Sequence, residues 1–208
     1  MRLYSYIVRY DCGFAPNPFF GFCTLATCKP NIRKHAQVGD WIVGSGSADR
    51  SVRKGGVLVY AMRVTETLTF RQYWNDARFG RKKPNLYASL KLASGDNIYR
   101  WSRRRKAWDQ LPSYHSHIDG SADPRHVQRD TRVDRVLAST DFVYFGGHGP
   151  IIPHKLRKYG GLDVVKTGRG LKVFSDADTN LVRDFGAWID SLAEHGFVHA
   201  PLDWSRRR

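Results

Sequence analysis

The chain has 208 residues, a formal net charge of +15, and 41% hydrophobic and 13% aromatic side chains. That apolar share can bury a core, which excludes a disordered chain, and the length sets a single domain over residues 1–208 as the expectation. No run approaches membrane-spanning length and no signal peptide is expected, because Arg2 and Arg9 flank a segment without a long apolar stretch.

The charge is uneven. Residues 50–106 hold fifteen basic side chains against three acids, Glu66, Asp76 and Asp96. Arginine outnumbers lysine by 23 to 11. Arginine presents phosphate with a planar fork and stacks on bases, so the bias points to nucleic acid or a nucleotide as partner. The competing reading is a basic protein with a solvated charged face. The three cysteines, Cys12, Cys23 and Cys28, fit no zinc spacing and read as core or strand thiols in a reducing cytoplasm. No metal and no cofactor is expected.

In chain order, residues 3–10 read as a strand with apolar side chains on both faces, hence a central one. Residues 11–21 carry two prolines and two glycines, which exclude a regular element. The aromatics of that segment, Phe14, Phe19 and Phe20, either wall a pocket or plug one end of the core. Residues 22–28 suit a second strand. Residues 29–36 suit a short helix with Pro30 in its first turn. Trp41-Ile42-Val43 and residues 57–64 are β-branched, aromatic and apolar, as strands are. Between them lies a flexible basic loop in which Ser45, Ser47, Arg50, Arg53 and Lys54 are candidate contacts for phosphate. Alternation sends Trp41 and Ile42 to opposite faces, so one is expected in the core and the other at a cleft or solvent.

Further on, Thr69 is placed to cap a helix carrying Phe70, Tyr73, Trp74 and Ala77. Residues 95–101 read as a turn into a strand, and residues 102–106 as a cationic hairpin tip, with Trp108 on the return. Trp101 and Trp108 flank Arg103, Arg104, Arg105 and Lys106 there, a mixture of aromatics and cations that suits stacking on bases beside phosphate. Trp74, on the preceding helix, is a further candidate stacker. In residues 113–120, His115 and His117 would share one face of a strand, and could bind a metal or anion or exchange protons. Residues 123–134 alternate acids and bases in a solvated manner. Residues 141–145 form a strand that ends in Gly146-Gly147-His148-Gly149. Asp178 or Thr179 can start a last helix with Leu181, Phe185, Trp188, Ile189 and Leu192 on its core face and Gly196 at its end. Residues 206–208 read as a frayed basic tail.

Gly39-Asp40-Trp41-Ile42, after a short helix, resembles the strand opening of small PUA-like barrels (the ASCH, EVE and YTH domains). The expected fold is therefore α+β, either a mixed, strongly bent β-sheet or a small PUA-like β-barrel with flanking helices. At whole-chain scale the resemblance is to the second family of nucleotide-modification-associated domains. It is carried by residues 3–6, Phe14-Ala15-Pro16-Asn17-Pro18-Phe19, Cys23-Thr24-Leu25-Ala26-Thr27-Cys28-Lys29-Pro30, Gly39-Asp40-Trp41-Ile42-Val43-Gly44, residues 58–66, Gly95-Asp96-Asn97-Ile98-Tyr99, residues 142–147 and Pro201-Leu202-Asp203-Trp204. The resemblance implies a part in DNA base hypermodification, with DNA ahead of RNA as partner and other modification-system proteins as company. It supplies no catalytic residues.

Two function classes are consistent with these features, and a third, a structural partner of a modification complex, stays open. One is a binding module that takes a base or modified nucleotide among Trp41, Trp74 and Trp101, with the basic loop on the backbone. The other is an enzyme acting on a base or nucleotide. With only two glutamates, Glu66 and Glu194, its acid–base chemistry falls to Asp11, Asp96, His115, His117 and His148. No Walker loop, Rossmann glycine pattern, methyltransferase glycine motif or zinc-deaminase signature is present.

Overall fold

A computed structural model describes residues 1–175, 177 and 180–204. The expected helix start at Asp178 or Thr179 and the basic tail at residues 206–208 lie outside them. The elements run β1 (Arg2–Val8), β2 (Cys23–Leu25), α1 (Pro30–His35), β3 (Trp41–Gly46), β4 (Leu58–Arg63), β5 (Glu66–Leu68), α2 (Phe70–Asn75) and α3 (Leu90–Ala93). Next come β6 (Tyr99–Ser102), β7 (Ala107–Gln110), α4 (Pro124–Thr131), β8 (Val136–Ser139), β9 (Asp141–Tyr144), α5 (His154–Arg157), β10 (Leu171–Ser175), α6 (Leu181–Ser191) and β11 (Gly196–Phe197). The chain groups into two compact units, one of Met1–Asp11, Ala36–Thr65 and Ser139–Arg208, the other of Cys12–His35 and Glu66–Ala138.

The first unit is built on a six-stranded sheet in the order β10-β1-β3-β4-β9-β11. β1 lies parallel to β3 and antiparallel to β10, while β4 is antiparallel to both β3 and β9. β1 is thus interior, as its two apolar faces require. The fold is α+β with a mixed sheet. The sheet is open at β10 and β11, and among the described residues no closed barrel forms, so the PUA-like alternative does not hold.

Trp41 and Ile42 do point opposite ways, yet both are buried, at 3% and 0% exposure. The expected cleft-facing partner is therefore corrected: β3 is an interior strand with both faces covered, and its unbroken apolar run is the signature of that state. Trp41 joins Leu3, Val43 and Ala61 in a core with Phe185, Trp188 and Ile189 of α6. Its indole meets the Phe185 ring edge-on at 5.8 Å. Gly186 allows this approach, since a Cβ there would stand 3.3 Å from the indole nitrogen.

The second unit holds a three-stranded sheet, β2-β8-β5, and the hairpin β6-β7. Thr69 caps α2 through a reciprocal box with Gln72, as the sequence predicts. Helix α2 stops at Asn75, so Ala77 falls into a 3-10 turn, Ala77–Lys82, which Asp76 caps. Phe70 and Tyr73 face a core with Phe79, Ile98, Tyr99 and Val136.

Three expectations are corrected. Residues 113–120 are turns rather than a strand. Residues 123–134 are not a solvated stretch but hold helix α4, with Asp123 accepting from the Arg125 amide and Pro124 in the first turn. Helix α6 ends at Ser191 with Leu192 as its C-cap, and Gly196 instead opens β11. Among the described residues no helix is long and apolar enough to cross a membrane.

The burial of Trp41 makes a stability prediction. Trp41→Ala should cost about 3–5 kcal/mol in urea unfolding, the range for emptying a large aromatic from a core. A loss below about 1 kcal/mol would show that the indole does not carry this packing.

Candidate functional site

Helix α4 places Asp130 at its inner face, fully buried. Asp130 Oδ2 lies 2.8 Å from His115 Nδ1 and accepts from the Tyr99 hydroxyl at 2.9 Å. Its Oδ1 accepts from the Cys28 amide at 3.0 Å and from Arg129 Nε at 3.1 Å. On the other side of the imidazole, His115 Nε2 lies 3.5 Å from Cys28 Sγ. Thiol, imidazole and carboxylate therefore stand in series. Cys28 is partly exposed, and His115 is 8% exposed.

Every neighbour holds this series in place. Cys28 has φ +57°, in the left-handed region that costs a non-glycine residue on the order of 1–2 kcal/mol. Its carbonyl accepts from Arg33 Nε at 3.0 Å, so both backbone groups of Cys28 are tied. His126 donates Nδ1–H to the His115 carbonyl at 3.0 Å and sets its ring edge against the His115 ring at 4.1 Å. Phe14 packs edge-on to the His115 ring at 4.7 Å. The Arg129 guanidinium lies 3.4 Å from the His115 ring nitrogens and 3.8 Å from Cys28 Sγ.

Burial alone would lower the His115 pKa, but the hydrogen bonds to Asp130 and Cys28 outweigh it and push His115 up to about 9. Burial would raise Asp130, yet His115 and Arg129 hold it down at about 2. Burial and the positive charge of His115 both push His126 down.

A second buried network in the same unit takes up Asp96. Its oxygens accept from the Tyr73 hydroxyl at 2.6 Å and from Thr24 Oγ1 at 2.8 Å. Lys82, also fully buried, directs its ammonium at the Asn17 carbonyl (3.0 Å), Asn17 Oδ1 (2.6 Å) and the Phe22 carbonyl (3.0 Å). Burial lowers Lys82 to about 8 and raises Asp96, in each case toward the neutral form. With no exposure, Asp96 ties core elements together rather than meeting a substrate.

The cationic hairpin forms as predicted. Trp101 and Trp108 pair across β6 and β7, with centroids 5.3 Å apart. Trp108 turns inward onto Phe70, and Trp101 remains 45% exposed. Arg103 and Arg104 stand exposed at the tip, while Arg105 and Arg100 pair with Asp109. Trp74 is half-buried under Lys83 Nζ, 4.3 Å from its centroid, with Arg100 at 5.6 Å.

The other predicted site residues lie apart from both networks. His117 is exposed and does not share a face with His115, because the segment is a turn. Among the described residues no three His, Cys, Asp or Glu side chains gather to hold a metal ion. In the first unit, Asp11 is 5% exposed and accepts from the Tyr144 hydroxyl and from the Leu202 amide at 2.9 Å. His148 is exposed beside His199, with centroids 5.6 Å apart. Ser45 and Ser47 are buried, and Ser47 Oγ accepts from the Asp49 amide at 3.1 Å. Arg50 and Arg53 are exposed, Lys54 partly so, and Arg53 donates to the Arg50 carbonyl at 3.2 Å. Trp41 offers no face to a base.

Sequence reasoning singled out His115 but missed Cys28, Asp130 and Arg129. One signal was present: Thr27-Cys28-Lys29-Pro30 puts a thiol just before a helix that Pro30 opens.

An α+β protein with a basic aromatic hairpin and a Cys–His–Asp series, its His and Asp buried and its Cys partly exposed, is thus in view. The family model of nucleotide modification associated domain 2 matches residues 1–208, and the chain belongs to that family. Neither a curated protein nor a solved structure matches it.

The His115 contacts predict a pH dependence. A folded pKa of about 9, above the ordinary 6.5, means that His115 stabilises the fold fully below about pH 6.5 and loses this as pH rises through about 9. Urea unfolding should show a loss of roughly 2–3 kcal/mol over that window. His115→Gln should flatten the profile, and an identical slope in the variant would refute the assignment.

Proposed function

We propose that the protein binds nucleic acid, DNA ahead of RNA, and recognises a base within a nucleotide-modification system, working as one family domain over residues 1–208. The observation that carries this reading is the β6–β7 hairpin, where Trp101 stands 45% exposed beside the cations Arg103 and Arg104. An exposed indole offers a π-face to any base, and guanidinium groups next to it meet the adjoining phosphates. The unit that bears the hairpin has eighteen basic residues against eight acids, which favours a polyanion. Trp74 adds a half-buried indole with cations already on its ring. The loop arginines Arg50 and Arg53 are further candidates for phosphate. The family assignment supplies the setting, and other proteins of the modification system are expected partners. Three free thiols fit a reducing, cytoplasmic setting.

Fluorescence anisotropy with a labelled single-stranded oligonucleotide tests this reading. Trp101→Ala should weaken binding by about 1–3 kcal/mol, roughly five- to more than a hundredfold, with the melting temperature nearly unchanged. Replacing Arg103, Arg104 and Arg105 together by Ala should lower affinity for all sequences alike. It should also reduce the slope of log affinity against log salt by about 1–2. Parent-like affinity in both variants would remove the hairpin from the interface.

A further inference from the structure

The series Cys28–His115–Asp130 has the order and spacing of a nucleophile, a base and the group that orients the base. We propose that Cys28 is a nucleophile for acyl transfer, with protonated His115 holding its thiolate and Asp130 positioning the imidazole, so that the chain cleaves an ester, thioester or amide through a Cys28 thioester.

The hydrogen-bond network fixes the roles. An ionised Asp130 accepts only, so His115 Nδ1 carries a hydrogen toward it at 2.8 Å. With its pKa raised to about 9, His115 also carries a hydrogen on Nε2 at neutral pH, and this Nε2–H faces Cys28 Sγ at 3.5 Å, a separation that tightens when substrate arrives. Arg129 Nη2, 3.8 Å from Sγ, puts a positive charge where an oxyanion bound to the attacked carbon would develop. Partial exposure of Cys28 leaves the sulfur open to a substrate, whereas Cys23 is buried. The anchored backbone of Cys28, with φ +57°, holds the residue in a sparsely populated conformation beside the imidazole.

The chemistry balances without an outside oxidant or reductant. The thiol proton is lost to solvent, protonated His115 holds the thiolate, and Sγ attacks the carbonyl carbon as the carbonyl electron pair moves to oxygen beside Arg129. The tetrahedral adduct collapses, the bond to the leaving alcohol, thiol or amine breaks, and that group takes the proton from Nε2. Water then gives a proton to the neutral His115 as it attacks the thioester, and Cys28 leaves as the thiolate beside the protonated imidazole, which restores the starting pair. An amine in place of water gives transfer instead of hydrolysis. The step does not depend on the nucleic-acid reading, and its test leaves the hairpin untouched.

The test treats the full chain with p-nitrophenyl acetate at about pH 7, and with iodoacetamide from about pH 5 to 9, and maps the modified cysteine by mass spectrometry. Cys12, also partly exposed, is the internal standard. Acetyl and alkyl groups should reach Cys28 at least about tenfold faster than Cys12. His115→Gln should slow acetylation of Cys28 by about a hundredfold or more, the usual contribution of a positioned base. Asp130→Asn should shift the inflection of the Cys28 pH–rate profile, a readout that a packing role would not move. Equal rates at Cys28 and Cys12 in the parent, or a parent rate in folded His115→Gln, would overturn the proposal. Should that variant not fold, the parent profile decides. An inflection at Cys28 separate from that at Cys12 supports the relay, and coincident inflections refute it.

Discussion

The interior of the second unit depends on keeping two buried charges satisfied. Arg33 and Asp130 are both fully excluded from solvent. An unpaired charge in such a place costs several kcal/mol or more, so each must meet partners on all sides. Arg33 donates to the carbonyls of Cys28, Val133, Arg135 and Asp130 at 2.5–3.0 Å. Those four carbonyls come from the turn before α1, from the end of α4 and from the short link between α4 and β8. The guanidinium therefore clamps three backbone segments together through their carbonyls. Although burial lowers Arg33 to about 10, it remains charged at neutral pH, so the clamp holds there. Asp130 does the complementary work, gathering donors from Cys28, His115, Tyr99 and Arg129.

The network around Lys82 and Asp96 obeys the same rule with a different outcome. There the ammonium uses its donors on Asn17 and Phe22, and the carboxylate is closed by Tyr73 and Thr24. Asn17 passes the connection on, its amide reaching the Gly13 and Ser94 carbonyls at 3.1 and 2.7 Å. The proline-rich segment that the sequence left as either pocket wall or plug is thereby fastened from within, with Phe14 and Phe19 at 3% and 1% exposure. The difference from the Asp130 network lies in access. The groups around Asp96 are buried, whereas the Asp130 series ends at Cys28, a partly exposed residue. Burial with a full set of partners marks a structural network, and burial with one exposed, chemically competent end marks a site.

Much of the fold was legible because local rules and tertiary packing agree. Thr69 as a helix cap, Pro30 at a helix start, and the apolar runs of β1, β3 and β4 all appear where the sequence puts them. Where they disagree, tertiary demands prevail. The segment holding α4 reads as solvated because its residues are mostly polar, and its helical start rests on Asp123 and Pro124 alone. Its inward face carries a carboxylate instead of a leucine, so a search for apolar periodicity passes over it. Trp41 stays open between core and cleft in the sequence for the opposite reason: a tryptophan beside a basic loop suggests stacking, but the sheet that covers it is assembled from strands distant in sequence. The Cys28 series was illegible since its members, Cys28, His115 and Asp130, are brought together only by long-range contacts.

The acids of the second unit explain why its basic surface stays basic. Asp96, Asp123 and Asp130 are buried in networks or caps, and Glu66, Asp76 and Asp109 pair with Arg78, Arg100 and Arg105. Most of the eight acids are thus engaged close to home, and Arg103 and Arg104 form no ion pair among the described residues. Exposed pairs contribute at most about 1 kcal/mol each, so folding alone gives little reason to mass cations on one hairpin. Their mutual repulsion slightly opposes the compact state, a cost that a polyanionic partner would offset. The same imbalance bears on Cys28, because the charges nearest its sulfur are the guanidinium of Arg129 and the imidazole of His115, with the carboxylate held beyond the ring. A negative species approaching that sulfur, whether a phosphate-bearing substrate or a developing oxyanion, meets positive charge first.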